Sequence, residues 1–409
     1  MPNSARWRLS VMMFLEYVIW GSWLPLVALY LKDFLHFSGT DIGWIFATQA
    51  VASVTAVFVS GQIADRYLST ERFLFVSHVV GGLAMLALPF QKTFWPFFLT
   101  MLVHMLVYVP TLSLTNSICF HHLKDSQKEF GRVRLWGTIG WIAASWPFVF
   151  ILKGKEGAAL ESALTSIFVV AGGASLALAA FSLLLPPTPP SRDVKKRSAP
   201  LEAIRLLAVP SVLVLFFVTF IDALVHQCYF IWTSPLLAAI GVPENLIMPA
   251  MSIGQIAEIA TMASLGFFLA RLGWRRTMVF GILGHVVRFL IYALGRPAWL
   301  VVGSNIVHGF CYAFFFASVY IFVDEQFPKD ARASAQGLFN FLILGLGPFA
   351  GSLLWGTLGD AFRTAAGGVD FSRLFLVPAL LGLVAAALLF LGFHPTQPIP
   401  TGNTSPVVG

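Results

Sequence analysis

Charge is what this sequence has least of. Only 11% of its 409 residues are Asp, Glu, Lys or Arg, against roughly a quarter in an ordinary soluble domain. With 57% hydrophobic residues and a mean hydropathy of +0.80, the chain cannot cover itself with a polar surface. Cysteine is scarce as well. Cys119, Cys228 and Cys311 all lie in apolar segments and form no CxxC, which argues against a disulfide framework or a thiolate metal site. There is no glycine-rich phosphate loop, no metal-ligand cluster and no G-x-S-x-G elbow. ATP-driven transport and hydrolase chemistry are therefore unsupported, and neither a cofactor nor a metal is expected.

What is present is a succession of apolar runs of about 20 residues, the length that crosses a bilayer core. Twelve spans are predicted, at roughly 9–31, 42–63, 73–91, 94–119, 134–152, 162–185, 208–239, 246–270, 277–295, 299–323, 334–358 and 373–393. The fold class is an all-α polytopic membrane protein. The first run is too long for a signal peptide and lacks a small-x-small cleavage site, so it reads as the first span. The net charge of +7 does not indicate nucleic acid, because the basic residues sit in short clusters between apolar runs. With both termini inside, 17 Lys and Arg fall on the cytoplasmic side and 7 outside, the bias expected of a multi-pass plasma-membrane protein.

The longest polar connection, 186–205, divides the chain into six-span halves at 1–185 and 206–393, followed by a cytoplasmic tail at 394–409. Such pseudo-symmetric halves, with a site near the midplane, are a common transporter plan that a monomer can execute. The halves echo each other. "GQIADRYLSTER" carries Gly61, Asp65 and Arg66 after span two, and "GFFLARLGWRR" carries Gly266 and Arg271 after span eight. Both resemble the inner-loop motif of the major facilitator superfamily, although the first copy lacks its second glycine and tight basic run and the second has Ala270 in place of the acid. Glycine there would allow close helix approach, and Asp65/Arg66 would pair with a helix end in one state of a rocking cycle. Gly347 and Gly351 form a small-residue pair suited to helix packing.

Few polar groups remain inside the spans, and each costs several kcal/mol to insert (about 2.5–3.5 at the helix centre). Glu16 precedes Trp20 and Trp23 in span one. Arg134 opens span five with Thr138 one turn on, and suits both a snorkelling cation and a site residue. Asp222, His226 and Tyr229 form one stripe on span seven, in which the acid and the histidine can share a proton. Span eight carries Gln255 and Glu258, span nine His285 and Arg288, and span ten His308 and Tyr312. The i, i+3 pair His285/Arg288 reads first as structural, satisfying an interior acid such as Glu258 or Asp222. Tyr229 and Tyr312 also fit as packing aromatics. Amides, carboxylates and flat rings together suit a hydroxylated sugar joined to an aromatic base, and a sugar alone would also fit.

Taken in order, "WGSWL" (20–24), "GQIADRYLS" (61–69), "YVPTLSLTNSI" (108–118), "RLWGTIGWI" (134–142), "SIGQIAEI" (252–259), "RFLIYALG" (288–295) and "ARASAQGLF" (331–339) resemble the nucleoside:proton symporter family of the major facilitator superfamily. The resemblance implies bacterial inner-membrane import of nucleosides with protons, through a site between the halves. It implies that Arg134, Thr138, Gln255 and Glu258 bind substrate, with Glu258 also able to titrate. Two places depart from the family pattern. Small amides of span seven are replaced by His226 and Tyr229, and the span-ten aspartate of some members by Ala313, leaving His308 and Tyr312 as the nearby polar groups. Glu16 and Asp222 are then candidates to supply the missing acid. Another small solute, or a non-transporting receptor on the same fold, are the rival readings.

Overall fold

A computed structural model of the chain describes residues 2–59, 69–123, 126–189, 207–327, 329–365 and 367–394. Among these, all regular structure is helical apart from one isolated bridge between Arg363 and Val369. A backbone in hydrocarbon must satisfy its N–H and C=O groups within its own segment, and the helix does this.

The first part of the chain forms α1 (Pro2–Leu29), α2 (Gly39–Val59), α3 (Thr70–Ala87), α4 (Phe94–His122), α5 (Ser126–Ile151), α6 (Gly157–Leu164) and α7 (Ser166–Ser182). The remainder forms α8 (Pro210–Ala239), α9 (Glu244–Leu294), α10 (Ala298–Gly303), α11 (Ile306–Cys311), α12 (Ser318–Gln326), α13 (Lys329–Asn340), α14 (Gly347–Ala361) and α15 (Phe371–Gly392). Wide π-type turns at Tyr312–Ala317 and Phe341–Leu346 join α11 to α12 and α13 to α14. Such turns recur at functional sites.

Nine helices among the described residues are long and apolar enough to cross a membrane. The difference from twelve expected spans has physical causes. Predicted spans eight and nine lie in one helix, α9, broken at Gly273 with φ 71° and ψ 174°. That backbone conformation is readily available only to glycine. Of the other two expected spans, α5 carries Arg132 and Arg134, whereas α2 is as apolar as the helices that are counted and is described only as far as Val59.

The chain divides into two compact units. The first holds Met1–Val194, Tyr229–Ser252 and Ser352–Ala361, and the second Lys195–Cys228, Ile253–Gly351 and Phe362–Gly409. The units thus follow the sequence halves except for two segments of the second half, which cluster with the first. In unit one, α1 packs on α4, α5 and α7, and α3 on α4 and α7. Met12, Met13, Leu74, Ile118, Val133 and Leu178 fill the space between them. The core of unit two is aromatic, with Phe315, Phe322, Phe327, Phe339 and Phe393 buried among aliphatic side chains. Within it, Gly347 and Gly351 let α14 close on α8. A Cβ at Gly347 would fall 2.5 Å from Ala223 Cβ, and one at Gly351 2.8 Å from the Leu224 carbonyl.

The first loop motif, Gly61, Asp65 and Arg66, lies outside the described residues, as does most of the 186–205 connection and the tail beyond 394. The second copy is described. Arg271 lies over the Phe267 ring, 5.1 Å from its centroid, and Gly266 has open space where a Cβ would go. Close helix approach is therefore not what Gly266 provides here. The glycine with a structural task in this motif is Gly273.

Candidate functional site

In unit one, α1 and α5 come together because glycine leaves room on α5. A Cβ at Gly140 would fall 2.2 Å from the Phe14 carbonyl oxygen. Gly137 does the same for the site: its missing side chain leaves space for Arg134 and Tyr17, each of which would lie 2.7 Å from a Cβ there. The Arg134 guanidinium lies over the Tyr17 ring, 4.2 Å from the centroid, a cation–π contact. Arg134 and Thr138 are half-buried on one turn of α5.

Glu16, on the α1 turn next to Tyr17, is fully buried. Thr111 donates to its Oε1 at 2.6 Å, and the Tyr108 hydroxyl donates to the Glu16 carbonyl at 2.7 Å. Its other carboxyl oxygen lies 3.1 Å from Nε2 of His78 on α3. His78, Thr111 and Tyr108 were not among the residues selected from the sequence. A lone histidine in an apolar span is no signal until its partner is known.

The second cluster is in unit two. Asp222 and His226 lie on α8, His285 and Arg288 on α9 beyond the kink, and His308 on α11; Asp222, His285 and Arg288 have 0% exposure. Arg288 donates to Nδ1 of His308 at 2.6 Å and to Nδ1 of His285 at 2.9 Å. The ring of His226 stacks on His308 at 5.0 Å and meets His285 edge-on at 5.3 Å. A guanidinium has no acceptor, so both Nδ1 atoms serve as lone-pair acceptors and neither is available to a metal ion. No group of metal-ligating side chains occurs among the described residues.

Gln255 and Glu258, on the first section of α9, are brought up to α11 by two glycines. A Cβ at Gly254 would be 2.9 Å from His308 Cβ, and one at Gly309 2.3 Å from the Glu258 backbone nitrogen. Gln255 is buried and its Oε1 has no hydrogen-bond partner among the described residues, whereas Glu258 is partly exposed. Tyr312 opens the wide turn that follows α11. Tyr229 belongs to unit one, where its hydroxyl donates to the Met251 carbonyl at 3.3 Å. The stripe on α8 is therefore shared out, Asp222 and His226 to one unit and Tyr229 to the other.

Because α11 touches α9 backbone to backbone at Gly309, substituting alanine there forces the helices apart. Gly309→Ala is expected to destabilise the protein by about 1–3 kcal/mol, the cost of overpacking α11 against the Glu258 backbone. Thermal unfolding in detergent checks this; an unchanged melting temperature would contradict it.

The sequence profile described as "Nucleoside H+ symporter" matches residues 3–398. The chain is 31% identical to the xanthosine permease of Escherichia coli (strain K12), over 94% of this chain and 95% of the permease. It is 28% identical to the nucleoside permease NupG of the same strain, over 97% and 98%. The crystal structure of the nucleoside transporter NupG superimposes with a TM-score of 0.85 over 96% of this chain and 100% of that one, at 26% identity. A D-xylose-proton symporter shares the fold, with a TM-score of 0.76 at 11% identity. These relatives are transporters rather than enzymes, and a profile match across nearly the whole chain means that the protein belongs to the nucleoside H+ symporter family.

Proposed function

We propose that this member of the family imports nucleosides with protons by alternating access, through twelve spans in two six-helix halves. The protein works as a monomer in the bacterial inner membrane, with both termini cytoplasmic. The residues assigned to substrate in this reading are Arg134, Thr138, His226, Tyr229, Gln255, Glu258, His308 and Tyr312. Arg134 and Thr138 supply donors for ribose hydroxyls or base carbonyls. Gln255 and Glu258 offer donors and acceptors for the remaining hydroxyls and base edge, and the imidazole and phenol rings give faces for stacking. Glu16, Asp222 and Glu258 are the acids available for coupling. The observation that carries this reading is the guanidinium of Arg134 held over the Tyr17 ring with Thr138 one turn away. A cation fixed this way presents directional donors, whereas a snorkelling one extends its head to the interface.

The test is nucleoside-driven proton movement. Adding uridine or adenosine to de-energised cells that express the protein is expected to make the lightly buffered medium more alkaline, because each substrate enters with a proton. An alkaline shift with a free sugar and none with nucleosides would move the assignment to another solute. No shift with any solute, from protein that binds nucleoside, would favour a receptor on the same fold.

A further inference from the structure

The halves repeat a feature that the loop motifs do not carry. Glu16 and Asp222 are 206 residues apart, His78 and His285 are 207 apart, and the loop glycines Gly61 and Gly266 are 205 apart. Each half therefore sets a carboxyl group on its first span against an imidazole on its third, at equivalent places in the repeat. Glu16 Oε2 lies 3.1 Å from His78 Nε2, and Asp222 Oδ2 lies 3.6 Å from His285 Nε2. None of the four side chains is more than 1% exposed.

The pairs differ in what balances the acid. In unit two, Arg288 donates to Nδ1 of His285, so the neutral ring carries its proton on Nε2, facing Asp222. The same guanidinium cannot release its proton, so the second pair has a permanent cation at its side. In unit one the hydrogen bonds dictate the opposite tautomer. The Ser175 hydroxyl donates to the His78 carbonyl at 2.9 Å, so its oxygen is left to accept from His78 Nδ1 at 3.3 Å. Nδ1 thus carries a proton. Nε2 and Glu16 Oε2 then lie 3.1 Å apart, and neither has a hydrogen-bond partner among the described residues. Without a further proton, two lone pairs would be opposed at 3.1 Å. Written as imidazolium and carboxylate or as imidazole and carboxylic acid, the pair holds one proton and is neutral.

We propose that Glu16 and His78 together hold the coupling proton, and that in the second half Arg288 supplies a fixed positive charge beside the equivalent pair. The proposal rests on the proton-symport reading and makes it specific: one repeat carries a permanent cation and the other an exchangeable one. The groups around the exchangeable site are few. From α4 come Tyr108, His104 and the Thr111 hydroxyl. His104 stacks on Tyr108 at 5.2 Å and meets the Gly81 carbonyl through Nδ1 at 3.0 Å. From α7 comes Ser175. From α5 comes Arg134, engaged with Tyr17 of α1. With the proton in place the cluster is a neutral, hydrogen-bonded core. Once it leaves, an uncompensated charge is buried, a state that a packed helix pair resists. Proton occupancy thereby selects which conformations are accessible.

Gradient-free exchange of labelled nucleoside in proteoliposomes, measured across a range of pH, tests this. The wild-type rate is expected to vary with pH. Glu16→Gln should show a flat profile at whatever rate remains, and His78→Gln a displaced one. The double variant should match Glu16→Gln, because the two residues share one proton. Glu16→Gln with the wild-type profile, or a double variant that still titrates, would overturn the proposal. If Glu16→Gln fails to insert, Thr111→Val serves instead. It removes the donor to Oε1 and must displace the profile; an unmoved profile would also overturn the proposal. Wild-type protein that shows no pH dependence would instead reject the symport reading itself.

Discussion

Replacing Arg134 with glutamine is expected to lower proton-driven nucleoside uptake about tenfold to a hundredfold. A hydrogen bond to a charged donor is worth about 1.5–3 kcal/mol, and each 1.4 kcal/mol is a factor of ten in affinity. Glutamine also loses the contact with the Tyr17 face, which holds the guanidinium in place at 4.2 Å. Lysine is not expected to rescue, because a point charge cannot present a planar fork. The companion variant is Gly137→Ala. Its Cβ would meet both Arg134 and Tyr17 at 2.7 Å, so it should reduce uptake while leaving the charge intact. Uptake at several nucleoside concentrations, normalised to protein in the membrane, checks both. Wild-type affinity in Arg134→Gln would return this residue to a snorkelling role.

The second large effect is expected at Asp360. The start of α2 is capped twice within unit one. Ser38 and Asp41 form a reciprocal box: the Asp41 amide donates to Ser38 Oγ at 3.0 Å, and the Ser38 amide donates to Asp41 Oδ2 at 3.1 Å. The next two donors, the amides of Gly39 and Thr40, go to the Asp360 carboxylate of α14 at 2.7 and 2.8 Å. The Thr40 hydroxyl donates to Asp360 as well, at 2.7 Å. A negative side chain at a helix N-terminus also meets the positive end of the helix dipole. The helices touch closely enough that a Cβ at Gly39 would lie 2.4 Å from the Gly356 carbonyl. Loss of a helix cap costs up to about 2 kcal/mol. Asp360→Ala should therefore lower the melting temperature in detergent by several degrees, at about 2–4 °C per kcal/mol. Asp360→Asn, which keeps an acceptor, should cost less. Equal melting temperatures for alanine and wild type would show that the cap contributes nothing.

Much of this was legible in the sequence, for identifiable reasons. Scarce charge and recurrent apolar runs point to a helical membrane protein, since hydrocarbon admits few other solutions. Arg134, Thr138, Gln255 and Glu258 stand out because a polar group in an apolar span is expensive to keep there. What the sequence does not reveal is partnership. Asp360 and Gly39 lie 321 residues apart, and nothing local at either position predicts the contact. His78 carries no signal of its own, because a single imidazole in a greasy helix is compatible with simple packing. Its signal is the repeat itself, since His285 occupies the equivalent place in the other half. Gly266 shows the opposite error. Its position in a motif suggested close packing, but the conformational requirement falls on Gly273, whose positive φ breaks α9.

The central claim is tested most directly by uptake of labelled uridine and adenosine into nucleoside-transport-deficient cells expressing this protein, with and without a protonophore. One proton per nucleoside would drive about tenfold accumulation per unit of pH gradient, about 1.4 kcal/mol. The account predicts uphill accumulation that falls to equilibrium when the protonophore is added. Accumulation that survives collapse of the gradient, or its absence in cells where the protein is correctly inserted, would contradict it.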